Sequence, residues 1–501
     1  MDEVVVVGAG PTGLATACAL RAAGVDVRVI DAADGPACTS RALGIQPRGA
    51  EVLARLGALG DLPSRCLPIR QVVVSVDGCE LARLRVGMPT RLVRRPGLLV
   101  GQTEIEDALR RRLAALGGHV EWGRRVSGPE QDGACVTLRV AGGPLRAGWV
   151  VGADGAHSAV RRGAGVAFPG VPLVERFLLA DIDADLAADL DLPRDAVAVW
   201  LRGEEMLGAF PLPDGAGGRR WRLMAPAPAP VDDVLTALVG MLESHTGRPA
   251  PVSRAVWTSE FRIHRRLAET YRRGRVLLAG DAAHIHSPFG GQGLNTGIGD
   301  AENLAWKLTL VVRGHAGEAL LDTYGAERRP VAAEVLAATS GLTGAVLGRG
   351  TTARLMRDHL LVPLLNRPAV QRLVWERASQ LQITYRGGPL APRSWALRSP
   401  RPGDRVPDLP CRTTDGAPTT LHAALGPAWV VLTPAEGDTC AAAARAALGP
   451  LVTELRCPDV RDVLLVRPDA HLAWRGRSAA ALRDRLTGML GGDVAAAAVG
   501  P

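Results

Sequence analysis

Three runs of β-branched and apolar residues each stop abruptly at a turn of glycine and acid. Glu3 to Val7 passes into Gly8-Ala-Gly10-Pro-Thr-Gly13 and then into an apolar helical pattern that ends near Gly24, which predicts a strand, a tight turn and a helix. A further strand, Val25 to Ile30, ends in Asp31. The second run, from Trp149 to Gly152, leads into Ala-Asp154-Gly155-Ala-His157-Ser158, with Arg161 and Arg162 behind it. The third, Gly274 to Ala279, delivers Gly280-Asp281 and continues through His284, His286, Pro288 and Gly290 to Gly293-Leu294-Asn295, after which Thr296 to Leu310 reads as a helix.

Between the second and third runs the period changes to two. Arg176 to Ile182, Ala196 to Arg202, Met206 to Pro211, Arg219 to Pro226 and Ser253 to Ile263 alternate apolar and polar residues, separated by turn-rich pieces, and predict an antiparallel sheet. A hairpin at about Ile69 to Arg85 is expected to join it. Residues 331–395 read as mostly helical, and the proline- and arginine-rich stretch Pro392 to Pro410 marks a boundary. Beyond it, Leu421 to Leu425, Ala428 to Leu432, Val463 to Val466 and His471 to Trp474 predict a small α/β unit.

The 501 residues, 47% of them hydrophobic, suffice for two or three domains around sizeable cores. The formal net charge of +8 comes almost wholly from arginines scattered along the chain; Lys307 is the sole lysine. With no basic block and no interleaved aromatics, nucleic-acid binding is not expected. Eight cysteines without a Cys-x-x-Cys pair or metal-type spacing point to reduced thiols, no metal and a cytoplasmic protein. The longest apolar stretch, Val331 to Gly348, carries Glu334 and suits a packed helix better than a membrane span.

The glycine turns carry the chemistry. Gly8 permits the turn, Gly10 lets a pyrophosphate approach the backbone, and Gly13 lets helix and strand pack, with the helix N-terminus facing the phosphates. Asp31 would accept hydrogen bonds from an adenosine ribose. This segment alone does not distinguish FAD from NAD. Taken singly, Asp154 also reads as an ordinary turn residue and Asp281 as an ordinary N-cap. Asp281 at the carboxyl end of a buried strand also suits ribityl-like hydroxyls, and the helix opening near Gly293 offers free N–H groups to negative charge.

In this order and spacing, the three segments resemble the class A flavoprotein monooxygenases of the p-hydroxybenzoate hydroxylase type, which join an N-terminal GxGxxG to a DG and a GD motif. The likeness covers the chain to about residue 330 and is strongest from Gly280 to Leu308. It implies an α/β fold: a Rossmann-like FAD-binding domain (1–175, with hairpin 69–96 lent to the substrate domain), an inserted antiparallel-sheet substrate domain (176–268), and the rest of the FAD domain with a helical region (269–395). Asp281 would then bind ribityl, Asp154 and Gly155 would serve FAD and a transient NADPH or NADH, and Arg161 would support them. Ser40 to Arg48, with Arg41, resembles the family's flavin loop, and Gln102 its FAD-contacting glutamine. Pro288, Gly293, Leu294 and Asn295 would lie near the flavin ring. His284 and His286 carry imidazoles, the usual acid–base side chain, yet structural roles are expected for both, with His286 retained as a candidate proton handler.

The run Leu464 to Arg475 resembles the C-terminal thioredoxin-like domain of phenol hydroxylase and aromatic polyketide hydroxylases, so 396–501 is expected to adopt that fold without a redox role. The resemblance implies hydroxylation, by O2 through a flavin C4a-hydroperoxide, of a polycyclic aromatic phenol or quinone by a monomer or homodimer. Baeyer–Villiger insertion and detoxifying hydroxylation of an aromatic drug stay open. Trp200, Phe210, Trp221 and Met224 are the candidate apolar lining of a pocket over the flavin; each also reads as plain core.

Overall fold

The computed structural model describes residues 2–39, 42–213, 219–250, 252, 254–286, 291–347, 350–391, 399–434 and 438–491. Among these, Val4 to Val7 are buried and form the centre of a sheet whose middle strands are parallel, as a continuous apolar run requires. The strand Asp2–Val7 pairs with Val27–Ile30 on one side and Gly143–Gly152 on the other, and the latter pairs with Val276–Leu278. The register sets Val7 opposite both Ile30 and Gly152, and Gly152 opposite Leu278. The carboxyl ends of four strands are therefore flush. Helices Pro11–Ala22 and Gly293–Val312 pack on each other beside this sheet, and Gln102–Ala115 packs on the first of them.

The period-two segments form the second sheet. In spatial order its strands are His284–Ile285, Arg254–Leu267, Gly170–Asp183, Arg220–Ala227, Glu205–Pro211, Ala196–Arg202, Gln71–Val76 and Cys79–Arg85. The hairpin joins through parallel pairing, with Val73 opposite Ala198. Helix Val234–Thr246 covers one face, placing Leu238 and Leu242 in a cluster with Leu178, Ala209 and Leu223. The other face, which carries Met206, meets Val362 and Trp375 at one end.

The C-terminal segment builds its own six-stranded sheet, in which Trp429–Thr433 runs parallel to Val452–Arg456 and antiparallel to Val463–Val466. Its helices Thr439–Leu448 and Ala479–Leu490 share an apolar cluster with Trp306 and Leu310 of the long helix Gly293–Val312, and Trp306 meets Trp429 edge-on at 5.2 Å. The rest of this seam is ionic. Arg467 donates through both Nη atoms to Glu327 at 2.7 and 2.8 Å, and Lys307 donates to the same carboxylate at 2.8 Å, all three side chains being fully buried. The eight cysteines are free thiols. No helix among the described residues is long and apolar enough to cross a membrane, and no group of His, Cys, Asp and Glu among them is arranged to hold a metal ion.

Burial alone would raise the Glu327 carboxyl, but Arg467 and Lys307 outweigh it and pull it from 4.5 down to about 2. The folded state thus holds fewer protons than the unfolded chain between those values, and the stabilisation, complete above about 4.5, is lost as pH falls toward 2. Glu327→Gln is expected to lower the thermal midpoint at neutral pH, by about 3–5 kcal/mol of stability, and to flatten the acid limb. Thermal melts from pH 7 to 3 check this; an unchanged acid limb would remove Glu327 from the account.

Candidate active site

The flush strand ends bring the three turns together at one edge of the sheet, the position where open α/β sheets bind ligands. Ala153 N–H donates to the Val7 carbonyl at 2.8 Å and Ala279 N–H to that of Gly152 at 3.0 Å, so each turn is laced to the next. Gly8 has φ +107°, and a Cβ there would sit 2.3 Å from the Ala153 carbonyl oxygen. A Cβ on Gly13 would fall 1.9 Å from the Gly8 oxygen. Gly10 differs: its backbone is extended, and a Cβ would meet nothing within 4 Å. Two glycines are therefore required by packing and the third faces an open cradle. The helix that follows has no side-chain cap and no acid in its first turn, leaving its N–H groups to an anion.

Asp31 is half-buried and accepts from Ala9 N–H at 2.7 Å and Ala33 N–H at 2.8 Å, so it clamps the glycine turn while keeping lone pairs for another donor. Asp154 is half-buried at the head of the second turn. Its carboxylate is taken up by Ser158 Oγ and by Ala159 and Val160 N–H at 2.7 and 3.1 Å, which makes it the organiser of the turn into helix Ala159–Gly163. Gly155, at φ +76°, supplies the left-handed step of that turn. Arg161 ties this turn to the third one, donating to the Ala156 and Ala282 carbonyls at 3.0 and 2.9 Å while its guanidinium lies 3.8 Å from the Phe168 ring.

At the third turn, Gly280 has φ +61°, with a Cβ position 2.5 Å from Thr12 Oγ1. Its N–H donates to buried Asp300 at 3.1 Å. Asp300 also bonds His284 Nε2 at 2.7 Å and accepts from Arg328 Nε at 2.8 Å. Burial would raise the Asp300 carboxyl, yet His284 and Arg328 hold it below the ordinary range. His284 is thereby a buried strut. Asp281 is open to solvent by its own surface but lies deep among protein atoms, as on the floor of a cleft. That setting pushes its carboxyl up against the weaker pull of His284, and no described residue hydrogen-bonds it.

Asn295, buried one turn into its helix, accepts from Gln46 N–H at 2.8 Å and donates to the Gly291 carbonyl at 2.8 Å. It staples the segment after Ala42 to the helix N-terminus. A Cβ on Gly293 would meet the His286 ring at 3.3 Å, which fixes the half-buried His286 beside that terminus; Leu294 packs against the main core. Gln102 opens helix Gln102–Ala115 and donates through its side chain to Glu106 at 2.7 Å, while its N–H reaches the Ala42 carbonyl at 3.3 Å. Arg41 and Pro288 lie outside the described residues. Sequence reading did not find Asp300, Arg328 or Glu106. A charged residue inside a buried helical pattern was their one signal, and it named no partner.

The sheet facing this edge corrects the expected lining. Opposed residues share a face: Phe210 with Arg222, Gly208 with Met224, Leu179 with Met224 and Phe177 with Phe261. Trp200 and Trp221 have the other parity and pack under helix Val234–Thr246, so they belong to the outer core and not to a pocket. The inner face, away from that helix, carries Phe210 and Met224 with Phe177 and Phe261, and the rings of the last two stack at 6.0 Å. Among them Arg222, 4% exposed, grips Asp181 through two bonds of 2.7 and 2.9 Å.

The open cradle at Gly10, the uncapped helix and the Asp281 carboxylate, which no described residue hydrogen-bonds, are groups that could hold the pyrophosphate and a polyhydroxylated chain of FAD. Gly10→Val is expected to leave the melting temperature nearly unchanged and to lower flavin content, whereas Gly13→Ala destabilises the fold by about 3 kcal/mol through its backbone clash. Asp281→Ala should weaken FAD by about ten- to a hundredfold, the worth of a charged hydrogen bond. Flavin content and thermal melts of the purified variants check all three; unaltered flavin in both Gly10→Val and Asp281→Ala overturns the assignment.

Residues 1–339 match the family model described as an FAD binding domain, and residues 399–492 that of the aromatic-ring hydroxylase C-terminal region. The chain is 40% identical to a 6-methylpretetramide 4-monooxygenase of Streptomyces rimosus over 360 residues, which is 70% of this chain and 63% of that protein. It is 36% identical to a rifampicin monooxygenase of Streptomyces venezuelae over 99% of this chain and 100% of that one. The crystal structure of the flavin-dependent monooxygenase PieE with FAD and substrate superposes with a TM-score of 0.83 at 25% identity, covering 99% of each chain. With three turns aligned for a dinucleotide, an inserted sheet above them and both family models matched, the chain belongs to the class A FAD-dependent monooxygenases of the aromatic-ring hydroxylase type.

Proposed function

We propose that this enzyme hydroxylates a neutral, polycyclic aromatic substrate of polyketide-like kind, a phenol or quinone, with NADPH or NADH as reductant and O2 as oxygen donor. The observation that carries the reading is the inner face of the second sheet. Half-buried Phe210 and Phe261, backed by buried Phe177 and Met224, offer flat apolar contact to fused rings, and stacking of that kind contributes about 0.5–1.5 kcal/mol per pair beyond area burial. Among the described residues of that face the buried cation Arg222 is held by Asp181, which favours an uncharged substrate there. Bound FAD would supply the redox chemistry, accepting hydride and activating O2 at its C4a position.

The chain's own residues bind, orient and exclude water. Gly10 and the uncapped helix would take the pyrophosphate, Asp31 the ribose and Asp281 the ribityl chain, with Arg41 and Gln102 bordering the flavin loop. Gly155, on its turn ordered by Asp154, leaves space where the nicotinamide cofactor would pass. Gly293, Leu294 and Asn295 would place helix N–H groups beside the ring. His286, whose ring lies beside Gly293, is the candidate for a proton transfer. The likeness to the 6-methylpretetramide monooxygenase supports a polycyclic substrate. The full-length likeness to a rifampicin monooxygenase favours a second reading, oxygenation of an aromatic drug. The parallel and antiparallel neighbours of Trp429–Thr433 support a thioredoxin-like C-terminal unit, structural because it has no Cys-x-x-Cys pair.

NADPH oxidation by the purified yellow protein under air is expected to accelerate with polycyclic phenols and to yield products heavier by one oxygen. Acceleration by carboxylated monocyclic phenols alone would contradict the neutral-substrate reading. His286→Ala should keep FAD bound and lower the ratio of product to NADPH consumed. Full loss of product with normal flavin reduction would instead make His286 catalytic.

A further inference from the structure

The ionic part of the seam between the C-terminal unit and the flavin side is built from charges that apolar residues of similar volume would replace without loss of stability, since burying ions commonly costs as much as their pairing returns. Its geometry, moreover, is directed. The turn from Arg467 to His471 enters between helix Gly293–Val312 and the segment after the flavin loop. Asp469 is 1% exposed. Its carboxylate accepts from Arg467, from Asn303 Nδ2 at 3.1 Å and from Trp306 Nε1 at 3.3 Å. Its backbone carbonyl accepts from Arg48 Nη2 at 2.7 Å. Arg48 lies two residues beyond Gln46, whose N–H is fixed on Asn295.

A second route leaves from His471. Its ring lies 4.2 Å from that of Tyr385, whose hydroxyl accepts from Arg328 Nη1 at 3.1 Å. Arg328 holds Asp300 at 2.8 Å, and Asp300 holds the N–H of Gly280, the neighbour of Asp281. Both routes end on backbone groups that shape the cofactor cleft.

We propose that the turn Arg467 to His471 is a positioning element for the flavin site: from behind, the C-terminal unit sets the flavin loop through Arg48 and the third turn through Tyr385 and Arg328. An apolar seam would attach the unit equally well but would not fix two loops, because dispersion contacts lack direction and hydrogen bonds do not. This inference rests on the reading of the cleft as the FAD site.

The test uses the full-length holoenzyme. Asp469→Asn keeps the shape of the side chain and removes its charge. Its FAD dissociation constant is expected to rise about tenfold, the scale for losing an outer partner of a bound group, with a shift in the visible absorption bands of the remaining bound flavin. Leu455→Ala, in the C-terminal unit's own core, is the stability control: it should lower the melting temperature and leave FAD affinity and spectrum as in the parent. Tyr385→Phe, which removes one hydroxyl from the second route, should shift the spectrum in the same direction by less and serves if Asp469→Asn does not fold. Unchanged affinity and spectrum in Asp469→Asn and Tyr385→Phe would overturn the proposal. So would losses of FAD that track melting temperature equally in Leu455→Ala. A parent protein that takes up no FAD would instead refute the cleft assignment itself.

Discussion

Everything at the cleft depends on parallel pairing in register. Because Val7, Ile30, Gly152 and Leu278 lie side by side, the glycine turn, Asp31, the Asp154 turn and the Asp281 turn leave the sheet at one level. A slip of one residue in any strand would move its turn by about 3.3 Å and reverse which side chains face the helices. The close approach of Gly8 to Ala153 and of Gly280 to Thr12 leaves no space for such a slip. Backbone packing thus fixes the cleft before any side chain contributes chemistry.

The carboxylates at this edge divide by partner. Asp154 and Asp300 are engaged by three protein donors each and organise turns, Asp31 clamps one turn while half-buried, and Asp281 has no hydrogen-bond partner among the described residues. The same sequence type, an acid after a buried strand, therefore yields a cap in one place and a carboxylate left without a described partner in another. Donors within reach decide which: Asp154 finds them four to six residues along its own turn, whereas buried Asp300 takes one from Arg328 on the helix Asp322–Leu347.

Behind the cleft, charge is buried at unusual density. Burial pulls the Lys307 ammonium down to about 8 in spite of Glu327, while Asp469 is held far below the carboxylate range by Arg467 and His471 once burial is overcome. Such a set is stable only when complete, because removing one member leaves another unpaired in a poorly polarisable interior. The C-terminal unit is joined to the flavin side by a lock with few alternative arrangements, and this rigidity is what makes it suited to holding loops in place.

Much of this was legible in the sequence. The strand, turn and helix around Gly8 to Gly13, the five alternating strands and the hairpin that joins them follow from local period and turn chemistry, which neighbours along the chain dictate. Those same periods place Trp200 and Phe210 on opposite faces, but they do not say which face is turned to the cleft. Helix Val234–Thr246 decided that by covering the side of Trp200 and Trp221. Likewise Asp300, Arg328, Tyr385 and Asp469 are unremarkable singly, and only folding brings residues up to 169 positions apart, from Asp300 to Asp469, into one buried system. Hydrophobic period and glycine conformation are local properties that a sequence states directly, whereas the pairing of a buried charge depends on which distant donor reaches it, and tertiary structure alone sets that distance.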